Sequence, residues 1–160
     1  HAELDNEPSI ASPWLYDFVG APWKTQEVVR AAMKQIWTNA PDGISGNDDL
    51  GEMSSWYVWA ALGMYPLYPG RAELVLGSPM FEDAVVDRPS GKITIHAKGA
   101  RMNAPYIAKM AVNGRPNSKP WLPASFATHG GTLDYRLSQT PQKEWGAAAE
   151  DAPPSFGPEK

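Results

Sequence analysis

The chain has 160 residues, 42% of them hydrophobic and 20% charged, which is the length of one ordinary domain with material for a core. Fourteen Gly and 16 Pro exclude an all-helical bundle, and a formal charge of −4 with scattered Lys and Arg excludes a nucleic-acid partner. The absence of Cys removes disulfides, thiolate zinc sites and Cys nucleophiles, and no apolar run reaches the roughly 20 residues of a membrane span.

The chain opens in mid-phrase on His1-Ala2-Glu3-Leu4-Asp5-Asn6-Glu7-Pro8, without an initiator Met or a leader, and reads as part of a longer polypeptide. Asp5-Asn6-Glu7-Pro8-Ser9 sets three oxygen-bearing side chains before a Pro-stiffened turn. That suits a hard cation, and it equally suits a polar loop whose side chains satisfy backbone donors at a helix entry.

Ser12-Pro13 followed by Trp14, Leu15 and Phe18 predicts a short helix with Pro13 in its first turn and Gly20 beyond its end. Thr25 reads as the N-cap of a second helix, in which Val28, Val29, Ala32, Met33, Ile36 and Trp37 form one apolar face. Asn39-Ala40-Pro41-Asp42-Gly43 ends it in a turn. Met53 to Met64 predicts a third helix, apolar on nearly every side, which needs burial in a larger assembly.

Between the last two helices, Gly46-Asn47-Asp48-Asp49-Leu50-Gly51-Glu52-Met53-Ser54 places two adjacent carboxylates at a helix start, where the helix dipole favours the ionised form. A carboxylate held ionised there can act as a general base on water. The same spacing also reads as a cap, with Asp49 and Glu52 as a capping pair. An EF-hand loop counted from Asp42 fails, because Ile44 would occupy loop position 3, which must supply a ligand. Trp14, Tyr16, Trp23, Trp56, Tyr57 and Trp59 could stack sugars, although most such residues are core.

From residue 72 the hydrophobic period changes to two. Residues 73–76, 92–97, 107–112 and 132–137 predict an antiparallel β region of four to six strands, with Asn113-Gly114 as a tight turn. His96 falls on a strand, exposed or satisfied locally. The Pro-rich stretch from Ala147 predicts a loose tail.

In order, the chain carries Asn6-Glu7-Pro8-Ser9, Pro13-Trp14-Leu15-Tyr16, Pro22-Trp23-Lys24-Thr25-Gln26, Pro41-Asp42-Gly43, residues 46–58 as above, Ala61-Leu62-Gly63-Met64-Tyr65-Pro66 and Leu76-Gly77-Ser78-Pro79. This series strongly resembles the C-terminal part of glycoside hydrolase family 92, the calcium-dependent exo-acting α-mannosidases, over nearly the whole chain. The resemblance implies an α+β chain. Residues 1–70 would be the last helices of an (α/α)6 barrel, residues 71–146 an antiparallel β region, and residues 147–160 a loose tail.

The resemblance further implies an inverting reaction in which one carboxylate activates water while a carboxylic acid protonates the leaving oxygen. By motif position Asp49 is the base, with Asn47 or Asp48 helping to hold the water. Asn47 stands where many relatives carry Asp. Calcium would be bound by Asn6 and Glu7, with a backbone carbonyl of Asp5, and Glu7 and Trp23 are the candidate substrate contacts. The family's general acid lies upstream, and Glu3 is too close to the metal segment to be that residue. Residues 1–160 alone are therefore expected to be inactive, and to need the remainder of the enzyme, in the same polypeptide or as a second chain. The implied substrates are terminal α-mannosides of N-glycans or mannan, and the implied location is secreted or periplasmic. Two alternatives stand beside this: a non-catalytic carbohydrate-binding β module, and a structural or interaction fragment.

Overall fold

The computed structural model describes Leu4 and residues 7–155, without the side chain of Pro8. Helix α1 is a single turn, Glu7–Ile10. A 3-10 helix follows over Ser12–Val19, with Pro13 in its first turn, and stops at Gly20, whose left-handed φ of 68° lets its N–H reach the Tyr16 carbonyl. Helix α2 spans Pro22–Ile36. It begins three residues before the cap assigned to Thr25. Pro22 takes the first helical position, where its fixed φ and missing N–H cost nothing. Thr25 is consequently buried inside the helix. Helix α3 spans Glu52–Leu62 and ends at Gly63 in a left-handed conformation. A Cβ at Gly63 would lie 2.5 Å from the Pro79 nitrogen, so the close approach requires glycine.

Met53, Trp56, Ala60 and Ala61 of α3 are buried, whereas Ser55 and Val58 are exposed. The burial on all sides expected from the sequence is thus met on one side within this chain. Among the described residues no helix is long and apolar enough to cross a membrane.

Among the described residues eight strands form two sheets. The smaller joins β1 (Met64–Tyr65), β2 (Leu74–Leu76) and β7 (Trp121–Leu122), all antiparallel. The larger contains β3 (Asp83–Val86), β4 (Ile93–His96), β5 (Tyr106–Val112), β6 (Arg115–Pro116) and β8 (Gly131–Ser138) in the order β3-β4-β8-β5-β6. Its β4/β8 pair is parallel, a departure from the antiparallel region expected. Parallel neighbours need a long crossover, and residues 97–130, including helix α4 (Ala124–His129), supply it. Asn113 and Gly114 both have positive φ, 51° and 74°, as a two-residue hairpin between β5 and β6 requires.

Strand alternation divides the core. Val75 points to a helical core containing Trp14, Val29, Met33, Met53 and Trp56, whereas Leu74 and Leu76 point to a sheet core with Ile95, Ile107 and Leu133. Trp59 packs against both. The chain after Ala147 is tied down at Asp151, more firmly than its composition suggests. Asp151 is buried, accepts from the Ser118 hydroxyl at 2.9 Å, and its carbonyl accepts from the Trp121 indole at 3.1 Å.

Candidate active site

An aromatic nest fixes α1 against the start of α3. Trp56 is wholly buried, and its indole N–H donates to the Ile10 carbonyl at 3.0 Å. Trp37, immediately after α2, stacks on Trp56 with centroids 5.1 Å apart and planes 1° from parallel. Trp14 meets the same ring edge-on at 6.0 Å. Of the residues considered as a sugar platform, Trp14 and Trp56 are therefore core.

This nest carries the first turn of α1 to the first turn of α3. Glu7, Asp49 and Glu52 each offer a carboxylate oxygen within 4.8 Å of the others. Glu7 and Asp49 are exposed and Glu52 is half-buried. Two acidic segments from opposite ends of the helical region thus meet in one place. Partial burial holds the Glu52 carboxyl above its ordinary value, and the neighbouring charges of Glu7 and Asp49 add to the effect.

The loop before α3 explains how Asp49 reaches the group. The Asp48 carboxylate accepts from the Ser54 amide at 2.9 Å and from the Ser54 hydroxyl at 2.7 Å. These two bonds hold its carboxyl below the usual range. Asp48 therefore serves the cap that the sequence assigned to Asp49 with Glu52, and the water-holding role expected of Asp48 competes with those bonds. The next three residues are all left-handed, with φ of 44° at Asp49, 60° at Leu50 and 96° at Gly51. Asp49 and Glu52 are left to face Glu7.

Of the remaining candidates, Asn47 is exposed in the loop ahead of Asp48, and Asp5 and Asn6 lie outside the described residues, as does Glu3. Trp23 lies in the first turn of α2, about 20 Å along the helix axis from Trp37, the end that packs on Trp56. Its ring lies under the ammonium groups of Lys24, at 5.4 Å, and Lys143, at 5.3 Å. The structure thus brings Glu7 and Asp49 together and leaves Trp23 at the other end of α2. Glu52 is the member that sequence reasoning missed as a site residue. Its signal was its place one turn before Trp56 on the face that turns inward. His96 pairs with Asp83 at 2.7 Å across β3 and β4, a surface contact apart from this group.

Three close carboxylates repel one another unless a cation or protons neutralise them. An all-oxygen donor set of this kind suits a hard divalent ion such as calcium.

Residues 1–139 match the glycosyl hydrolase family 92 catalytic domain. An uncharacterized secreted glycosidase of the fungus Arthroderma benhamiae is 28% identical over 158 residues, which are 96% of this chain and 20% of that protein. A family 92 α-mannosidase of Bacteroides thetaiotaomicron, solved in complex with mannoimidazole, superposes with a TM-score of 0.91 at 31% identity, covering 95% of this chain and 20% of its own. A second protein of that organism, described as an inverting mannosidase of the family, gives a TM-score of 0.89 at 32% identity over 98% of this chain and 21% of its own. The chain spans about a fifth of the length of these relatives. It belongs to glycosyl hydrolase family 92.

Proposed function

We propose that this chain supplies the base and part of the metal site of an inverting exo-α-mannosidase. The observation that carries the reading is the meeting of Glu7, Asp49 and Glu52 within 4.8 Å. The description of two structural neighbours as an α-mannosidase and an inverting mannosidase supports it.

In this reading Asp49 accepts a proton from water as the water oxygen attacks the anomeric carbon. The bond to the leaving oxygen breaks, that oxygen takes a proton from a carboxylic acid, and the configuration inverts. An inverting pair stands about 6.5–9.5 Å apart to leave room for the water. Glu7 and Glu52, with oxygens within 4.8 Å of Asp49, are too near to be that acid. It comes from the rest of the catalytic domain. Glu7 and Glu52 would hold a calcium ion, with Asn6 and the Asp5 carbonyl as further ligands by resemblance. Calcium, when bound, supplies positive charge that offsets the carboxylates and orients sugar hydroxyls. The substrate is a terminal α-mannoside of an N-glycan or mannan, with Glu7 facing the sugar. A secreted or periplasmic location accompanies this reading, in keeping with the secreted fungal relative.

The test is mannose release from aryl and disaccharide α-mannosides by the longest natural polypeptide that contains this chain. Hydrolysis giving β-mannose first, abolished by Asp49→Asn with substrate binding kept, is expected. Full activity in Asp49→Asn overturns the assignment of the base.

A further inference from the structure

The left-handed turn ahead of α3 has the form of an aiming device. Asp tolerates positive φ and Gly adopts it freely, but Leu does so rarely. Leu50 nevertheless sits at φ 60° between Asp49 and Gly51. Its side chain is fully exposed, so packing does not hold it there. Backbone bonds to Asp48 do. The Asp48 carbonyl accepts from Gly51 at 3.0 Å and from Met53 at 3.3 Å, while its carboxylate accepts from the amide and hydroxyl of Ser54. Four donors from three residues of the α3 entry thus converge on one aspartate, and the residue after it is turned toward Glu7 and Glu52.

We infer that Asp48 and Leu50 are positioning residues, which clamp and shape the left-handed turn that aims the Asp49 carboxylate. The inference rests on the proposed role of Asp49. It replaces direct participation of Asp48 in holding water by an action through the backbone.

The turn makes opposite demands at the two positions. At position 50 only the backbone conformation matters, so Asn, which tolerates positive φ, preserves the aim. Val is a surface-neutral change in size and polarity, but β-branching excludes it from that conformation. At position 48 only the acceptor matters, so Asn keeps the cap through its amide oxygen and Ala loses it.

The experiment measures kcat, KM and calcium affinity for Leu50→Asn, Leu50→Val, Asp48→Asn and Asp48→Ala in the longest natural polypeptide that contains this chain. Leu50→Asn and Asp48→Asn are expected to keep kcat within about threefold. Leu50→Val and Asp48→Ala are expected to lose about tenfold to a hundredfold in kcat with KM little changed, the mark of a misplaced reacting group. Wild-type kcat in Leu50→Val overturns the inference. So does an Asp48→Asn variant as inactive as Asp48→Ala, because the charge of Asp48 would then take part directly. If the unmodified protein cleaves no α-mannoside, the hydrolase reading fails by itself and calcium affinity becomes the readout. Leu50→Val, which would carry the Asp49 charge away from the Glu7 and Glu52 oxygens now within 4.8 Å of it, is then expected to bind calcium several-fold more weakly than Leu50→Asn, and equal affinities overturn the inference.

Discussion

Trp56 and Ile10 are joined by a 3.0 Å hydrogen bond from the wholly buried indole N–H to the carbonyl oxygen of the half-buried Ile10. The bond ties the segment three residues beyond Glu7 to the helix turn beyond Glu52. Among the described residues it is one contact that links packing in the helical core to the segment of the carboxylates. Trp56→Phe keeps an aromatic ring against Trp37 but leaves the Ile10 carbonyl unpaired. We expect a loss of about 1–3 kcal/mol in urea unfolding, together with weaker calcium binding.

Glu52 makes the site sensitive to pH and to metal removal. Its carboxyl is held above the ordinary value, so the folded state binds its proton more tightly than the unfolded state does. Without a cation, that contribution is full at low pH and is lost as pH rises from about 4.3 through the raised folded value. A bound cation offsets the same repulsion. Chelation should therefore lower the melting temperature more at pH 7 than at pH 4.5, and a chelator effect independent of pH would contradict this.

Asp17 is a second acid with a raised value, for a different reason. It is wholly buried, neither of its carboxylate oxygens has a hydrogen-bond partner among the described residues, and burial pushes its carboxyl well above the usual range. Its sign is the same, with stability lost as pH rises above the unfolded value. Asp17→Asn removes the buried ionisable group at nearly constant shape. It should stabilise the protein by roughly 1 kcal/mol at pH 7 and flatten stability against pH, as read by chemical unfolding at several pH values.

Arg30 is a buried cation satisfied by neutral acceptors. Its guanidinium donates to the Ser78 carbonyl at 2.9 Å, the Ser78 hydroxyl and the Pro79 carbonyl at 3.0 Å, and the Arg101 carbonyl at 3.2 Å. Burial lowers its value to about 10. These bonds fasten α2 to the loops that follow β2 and β4. The planar fork reaches acceptors in several directions, which an ammonium group cannot reproduce. Arg30→Lys should cost about 2–4 kcal/mol in unfolding, far more than the same change at an exposed position.

The helices and principal strands were legible because their signals are local. Val29 and Met33 keep helical spacing, residues 132–137 keep period two, and Asn113-Gly114 fits only a tight turn. The parallel pairing of β4 with β8 was not legible, since it depends on where a crossover of more than thirty residues returns. At the site, Glu7 and Asp49 were legible by motif. Glu52 was not, because the local capping pattern gives it an adequate role until the structure assigns the cap to Asp48. The burial of Asp151 escaped for a similar reason. Its partners, Ser118 and Trp121, lie some thirty residues away in sequence.

The most direct measurement is a calorimetric calcium titration of the protein beside its Glu7→Gln and Glu52→Gln variants. One site whose affinity drops at least tenfold in each variant is the result expected if both acidic segments grip the same ion. Affinities unchanged by both substitutions would contradict a shared centre and, with it, the assignment of Asp49 to an adjoining catalytic position.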